Sequence, residues 1–206
     1  MNLSVKIGSV EFQNPVTVAS GTFGSAEGCH DLKELRKLGA IVSKTVTLKA
    51  QEGNPPPRIV ETPAGMLNAI GIENPGVDAF IEEKLPRLKK IGIPLIVSIL
   101  GYTDEEFKVL AEKFNAADGV SALELNLSCP NLKQKALAAQ DPEAAHRVVK
   151  LVKGISRYPV IAKLSPNVTD ISLIAKAAED AGADAVSLVN TFAGMVIDIH
   201  QRACVL

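Results

Sequence analysis

Six short apolar runs rich in β-branched residues alternate with helical patterns along this chain, and that alternation limits its fold more than any other feature. The runs cover residues 15–20, 40–44, 94–100, 122–125, 159–164 and 185–189. Helical patterns lie between most of them, at 30–38, 77–90, 104–114, 142–156 and 170–181. Cap residues mark the same boundaries. Thr103 precedes Asp104-Glu105-Glu106, and Asp141-Pro142-Glu143 reads as N-cap, N1 and N2. Gly39 and Gly182 each read as a C′ residue that ends a helix just before a buried strand. Strands apolar on both faces and joined through helices predict a parallel sheet covered by helices.

An open doubly wound sheet and a closed (β/α)8 barrel both satisfy this pattern. No Gly-x-Gly-x-x-Gly follows the first run. Polar, potentially reactive residues instead recur at the ends of several strands: Ser20-Gly21-Thr22, Lys44-Thr45, residues 126–131, Lys163 and Asn190-Thr191, with Ser98 inside the third run. A site assembled from the C-terminal ends of many strands belongs to a barrel. An open sheet gathers its site at one switch point. The expectation is therefore an α/β chain folded as a (β/α)8 TIM barrel, with residues 1–206 in one domain. Residues 47–76 break the rhythm with Pro55-Pro56-Pro57, several glycines and no helical pattern. So long a connection is usually functional or disordered. Its Met66, Leu67, Ile70 and Ile72 favour an ordered loop that covers the strand ends. About six strand-helix units are visible, where a complete barrel has eight and about 250 residues. The run 202–206 reads as the opening of another element, so the barrel is expected to be incomplete in this chain.

Composition excludes several classes of function. Net charge is −1 and hydrophobic residues make up 47%, with no basic excess to attract nucleic acid. The six Phe, two Tyr and no Trp argue against a stacking surface for single strands. Three scattered Cys form no disulfide framework, which points to a reducing cytoplasm. The N-terminus lacks the features of a signal peptide, and the longest apolar runs, such as 94–100, are too short to span a membrane.

Residues 126–131, Asn-Leu-Ser-Cys-Pro-Asn, are the densest chemical signal. Pro130 fixes its own φ and biases Cys129 towards an extended backbone. Such a turn can aim a thiol and two carboxamides at one point. Cys129 reads either as inert packing or as a reactive thiol. Its polar neighbours favour the second reading, because reactive thiols need a partly exposed, polar setting. Lys44 and Lys163 end apolar strands, where a lysine either reaches past the sheet rim into water or meets an anionic or oxygen-rich partner. Together with Asn126 and Asn190 they suit a planar heterocycle bearing carbonyls, ring NH groups and a carboxylate. Ser20-Gly21-Thr22-Phe23-Gly24 is either a plain βα turn or a small-residue surface for a flat ring. His30, His146 and His200 are too scattered to suggest a metal site, and neither Cys29 nor Cys204 is assigned a role.

These residues resemble the dihydroorotate dehydrogenases of pyrimidine biosynthesis, over almost the whole chain. The motifs carrying the resemblance are Ala19-Ser20-Gly21-Thr22, Lys44-Thr45, Gly53-Asn54-Pro55-Pro56-Pro57-Arg58, Asn68-Ala69-Ile70-Gly71-Ile72, residues 126–131, Lys163-Leu164-Ser165-Pro166-Asn167 and Val189-Asn190-Thr191. The resemblance implies an FMN-dependent barrel that oxidises (S)-dihydroorotate to orotate. A Cys at the base position implies class 1. The Asn-Pro-Pro-Pro-Arg loop and residues 61–68 are most similar to the NAD-linked class 1B catalytic subunit. That subtype implies a homodimer of catalytic subunits working with a second subunit that carries FAD and a [2Fe-2S] cluster, in the cytoplasm and without membrane or nucleic acid.

Carried over residue by residue, the resemblance implies Cys129 as the base that takes a proton from C5, with hydride passing from C6 to the flavin. A free thiol with a pKa of about 8.5 implies activity that rises with pH. Substrate contacts are implied for Lys44, Asn68, Ala69, Ile70, Gly71, Ile72, Asn126, Asn131, Asn190 and Thr191. Flavin contacts are implied for Ser20, Lys44, Thr45, Asn126, Lys163 and Val189. Three departures stand out. Residues 131–136 lack the family's glycines, and Ser98 stands where many relatives carry Asn. The two further strand units that hold the FMN phosphate in the family do not follow residue 202. Alternative readings are a dihydropyrimidine dehydrogenase-like flavin enzyme, or an inactive remnant that serves only as an interaction subunit.

Overall fold

The computed structural model describes residues 2–24, 32–128 and 140–206. The chain opens with an antiparallel hairpin, β1 (Val5–Ile7) and β2 (Val10–Phe12). Then come the short α1 (Leu32–Leu35) and β3 (Ile41–Val42), followed by a second hairpin, β4 (Ile59–Thr62) and β5 (Gly65–Asn68). A helical stretch begins as α2 (Val77–Ala79), loosens into a π-helical segment (Phe80–Lys84) and resumes as α3 (Leu85–Lys89). Pro86 has no N–H to give, and the Leu85 N–H reaches the Phe80 carbonyl five residues back. The remaining elements alternate strictly: β6 (Leu95–Ile99), α4 (Asp104–Ala116), β7 (Ala122–Asn126), α5 (Pro142–Ile155), β8 (Val160–Lys163), α6 (Ile171–Asp180) and β9 (Ala185–Ser187). A last hairpin pairs β10 (Ile197–Asp198) with β11 (Ala203–Cys204).

The five strands β3-β6-β7-β8-β9 form one parallel sheet, in sequence order. That order separates the two candidate architectures. A doubly wound sheet reverses direction at a switch point, whereas a barrel adds each strand beside the one before it. The fold is of the barrel type, incomplete in this chain. The expected first strand, residues 15–20, contributes a parallel bridge between Thr17 and Ala40 in place of a full ladder. Ala203 and Cys204, within the run 202–206, form the return arm of the last hairpin.

Strand alternation divides the interior in two. Outward residues Ile41, Val97, Leu123, Leu125, Val160 and Ala162 pack with Leu110, Phe114, Val149, Val152 and Ile174 of the covering helices. Phe80 meets Phe114 edge to face, with centroids 5.9 Å apart. Inward residues Val42, Ile96, Ala122 and Ile161 pack with Phe12 from the first hairpin. That hairpin lies at the N-terminal end of the strands, where an added Cβ on Gly8 would meet Pro159 at 2.9 Å. The apolar plug at this end leaves the C-terminal end free for polar groups.

The caps form as the sequence predicts. The Thr103 side chain accepts from the Glu106 N–H at 3.1 Å, and Asp141 accepts from the Glu143 N–H at 3.0 Å. Gly182 takes the left-handed conformation of a C′ residue, with φ of 92°. Gly39 does not adopt that conformation. Its position is set by crowding, since a Cβ there would lie 1.9 Å from the Asn14 carbonyl oxygen.

Residues 47–76, expected to form an ordered covering loop without a helix, contain the β4–β5 hairpin. Its base is fixed by Asn74, which is 6% exposed. The Asn74 Oδ1 accepts from the N–H groups of Thr47 at 3.1 Å and Gly76 at 2.9 Å, while its Nδ2 donates to the Ile72 carbonyl at 2.8 Å. Arg58 adds a second tie, donating to the Asn54 and Glu52 carbonyls and pairing with Glu73. Asn74→Ala would leave two buried N–H groups unpaired, at an expected cost of about 1–2 kcal/mol. Urea unfolding should show that loss, and hydrogen exchange should rise mainly within residues 47–76.

Candidate active site

A cavity of about 660 Å³ opens at the C-terminal ends of the parallel strands. It is lined from below by strand-end residues and from above by the β4–β5 hairpin and the loop after it. Strand alternation explains which side chains reach it. Asn126 and Lys163 end β7 and β8 in register, and their inward neighbours two residues earlier are Glu124 and Ile161.

Hydrogen bonds join five segments of the chain into one network. The Ser20 and Thr45 hydroxyls are 3.1 Å apart, and Thr45 and Ser98 are also 3.1 Å apart. Asn126 Nδ2 donates to Thr45 Oγ1 at 3.4 Å, and Asn190 Nδ2 donates to Asn126 Oδ1 at 3.2 Å. The loop after β8 joins in through Asn167, whose Nδ2 donates to the Thr191 carbonyl at 3.1 Å and whose Oδ1 accepts from the Ala193 N–H at 2.9 Å. Side chains held this way present amides and hydroxyls in set directions.

Two ammonium groups face the same space. Burial pulls Lys44 below the ordinary lysine range and repulsion from Lys163 adds to this, while Glu73 acts in the opposite direction. Gly21, at φ 82°, keeps the wall thin beside Lys44, because an added Cβ would meet Lys44 Nζ at 3.4 Å. An anion or an electron-rich ring would stabilise the buried Lys44 ammonium.

Of the residues singled out from the sequence, Ser20, Lys44, Thr45, Asn68, Ile70, Gly71, Ile72, Asn126, Lys163, Asn190 and Thr191 line the cavity. Ala69 and Val189 do not. Ala69 is tied into the hairpin, its N–H donating to the Arg58 carbonyl at 2.8 Å. Cys129 and Asn131 lie outside the described residues. Ser98 is fully buried and meets the network from beneath through Thr45. Ile72 has φ of 56°, a left-handed conformation uncommon for a β-branched residue, directly after Gly71 at 74°.

Sequence reasoning missed Glu124, Ser165 and Asn167 as residues of this region. Glu124 is 4% exposed inside the sheet. The available signal was a carboxylate two positions before Asn126 in an otherwise apolar run, hence on the same inward face. Burial pushes the Glu124 carboxyl above its ordinary 4.5, against the opposing effects of Lys163, Ser98 and Ser187. The folded chain then holds that proton more tightly than the unfolded chain. This contribution to stability is fully present below about pH 4.5 and is lost as pH rises through the raised folded value. Urea unfolding of Glu124→Gln across weakly acidic pH should show a flatter fall in stability with rising pH than the parent. Identical slopes would exclude this titration.

No helix among the described residues is long and apolar enough to cross a membrane. The family model for dihydroorotate dehydrogenase matches residues 2–206. Similar proteins include the catalytic subunit of dihydroorotate dehydrogenase B (NAD(+)) from Citrifermentans bemidjiense, 52% identical over 206 residues, covering 100% of this chain and 68% of that protein. The corresponding subunit of Thermoanaerobacter sp. (strain X514) is 52% identical over 203 residues, covering 98% and 67%. The chain thus spans about two thirds of the length of these relatives. The crystal structure of the Eimeria tenella dihydroorotate dehydrogenase in complex with ferulenol superimposes with a TM-score of 0.73 at 22% identity, covering 93% of this chain and 60% of that one. At that identity the likeness is one of fold.

Proposed function

Because the chain belongs to the dihydroorotate dehydrogenase family, we propose that it forms the substrate- and flavin-facing part of an enzyme that oxidises (S)-dihydroorotate to orotate in pyrimidine biosynthesis. The observation that carries this reading is the network from Ser20 through Thr45 and Asn126 to Asn190, with Lys44 and Lys163 beside it. It offers amide and ammonium donors around a cavity with room for a flat ring.

The donor set fits an FMN ring. Ser20, Lys44, Thr45, Asn126 and Lys163 would hold it. Bound there, FMN supplies the acceptor for the hydride that leaves C6 of dihydroorotate. The chain's own residues do the rest. Lys44, Asn126, Asn131, Asn190 and Thr191 hold the carboxylate and carbonyl edges of the pyrimidine, with Asn68 and the 69–72 backbone above them. Charge-assisted bonds from Lys44 orient the substrate. Residues 47–76 cover the cavity and limit water. Cys129, as thiolate, takes the proton from C5.

The relatives' names support the NAD-linked subtype. The implied assembly is a homodimer of catalytic subunits with an electron-transfer subunit bearing FAD and a [2Fe-2S] cluster, in the cytoplasm. Purification with added FMN tests the reading, in a chain extended to the length of its relatives so that the phosphate-holding units are present. The protein should retain yellow colour, quench flavin fluorescence and change its visible spectrum when orotate is added. A sample that takes up neither FMN nor orotate would overturn it.

A further inference from the structure

Below the cavity floor lies a carboxylate that the proposed reaction does not use. Glu124 points into the barrel from the middle of β7, paired in register with Ser98 of β6 and Ile161 of β8. Its side chain is 5% exposed, and that of Lys163 is 10% exposed. Glu124 Oε1 lies 4.0 Å from Lys163 Nζ and has no hydrogen-bond partner among the described residues. A buried carboxylate oxygen left open in this way is costly unless a cation faces it. An apolar side chain of similar volume would pack there at lower cost. Lys163 is the cation that faces it, and Lys163 also lines the cavity above. The second cavity ammonium, Lys44, repels Lys163. The Lys163 ammonium thus feels attraction from Glu124 and repulsion from Lys44.

We propose that Glu124 is a positioning residue: from beneath the floor its carboxylate sets where the Lys163 ammonium stands, and so aims one fixed donor at the ring bound above. The identity of that ring rests on the flavin reading, whereas the pairing of Glu124 with Lys163 does not. Ser98 and Ser187, on the neighbouring inward faces, favour the ionised carboxylate and complete its surroundings. The arrangement leaves Oε1 facing the ammonium, with both groups screened from water.

The test uses the chain extended to the length of its relatives, with lysine side chains labelled with nitrogen-15. Lys163→Met assigns the Lys163 ammonium signal. Glu124→Gln keeps the shape and removes the charge, while Glu124→Asp keeps the charge on a shorter arm. The Lys163 signal is expected to shift strongly or vanish in Glu124→Gln and to shift less in Glu124→Asp. FMN titration by fluorescence quenching should weaken about tenfold in Glu124→Gln, the scale of one charge-assisted hydrogen bond. The visible spectrum of the bound flavin should move in the same direction as in Lys163→Met. A Lys163 signal in Glu124→Gln that superimposes on the parent overturns the proposal. So does a displaced signal with FMN affinity and spectrum unchanged. If Glu124→Gln does not fold, Glu124→Asp decides, and an unshifted signal there overturns the proposal. If the parent chain takes up no FMN, the flavin reading fails, and the ammonium signal alone decides whether Glu124 positions Lys163.

Discussion

Cys129→Ser is expected to slow dihydroorotate-driven flavin reduction by about 10²–10⁴-fold, the usual worth of a positioned general base. FMN occupancy should stay at the parent level, because the substitution replaces one small side chain with another and removes none of the flavin-facing donors. The physical reason is acidity. A thiol of pKa about 8.5 yields some thiolate near neutrality, whereas a serine hydroxyl yields almost none without a partner base. The pH profile carries the same information. In the parent the rate should climb with pH until the thiol is ionised, and in the variant that climb should disappear. Anaerobic stopped-flow measurement on FMN-loaded protein, extended to the length of its relatives, checks both outcomes. A variant that reduces flavin at the parent rate would remove Cys129 from the role of base.

Lys44→Ala is expected to weaken both orotate and FMN, each by about 1.5–3 kcal/mol, the range for a hydrogen bond to a charged group. The double effect follows from where Lys44 stands. It lines the cavity between the turn at Gly21 and the network at Thr45, below the hairpin residues that close the site from above. Its ammonium is already strained by burial and by Lys163, so a bound anion gains more from it than from a solvated lysine. Removing it should also relieve that repulsion, so the ligand-free chain should melt no lower than the parent. Orotate affinity and flavin occupancy both at parent levels would contradict the placement. Loss of one without the other would divide the shared role.

Much of the scaffold was legible because its signals are local. The alternation of runs and helical patterns located β3, β6, β7, β8 and β9, and the caps at Thr103 and Asp141 formed as written. Local reasoning failed where a distant partner decides. Residues 15–20 have strand composition yet keep only the bridge from Thr17 to Ala40. Gly39 looked like a helix-ending glycine and is instead a close approach to Asn14. The β4–β5 hairpin was hidden because Thr62-Pro63-Ala64-Gly65 is a weak turn signal among many prolines and glycines.

The candidate site shows the same division. The residue types at the strand ends were visible by position alone: lysines at 44 and 163, amides at 126 and 190, hydroxyls at 20 and 45. A period of two residues per strand turn, and the break from apolar to polar at each strand end, are properties of the chain by itself. What the sequence could not supply was the meeting of these groups. Ser20 reaches Thr45 across 25 positions, Asn126 reaches Thr45 across 81 and Asn190 reaches Asn126 across 64. Only the sequential parallel pairing of the strands turns their inward faces towards one axis and brings those groups within hydrogen-bond range. The same pairing buries Glu124 beneath Lys163, because inward residues of adjacent strands share one dry interior. A carboxylate in an otherwise apolar run thereby comes to face the Lys163 ammonium.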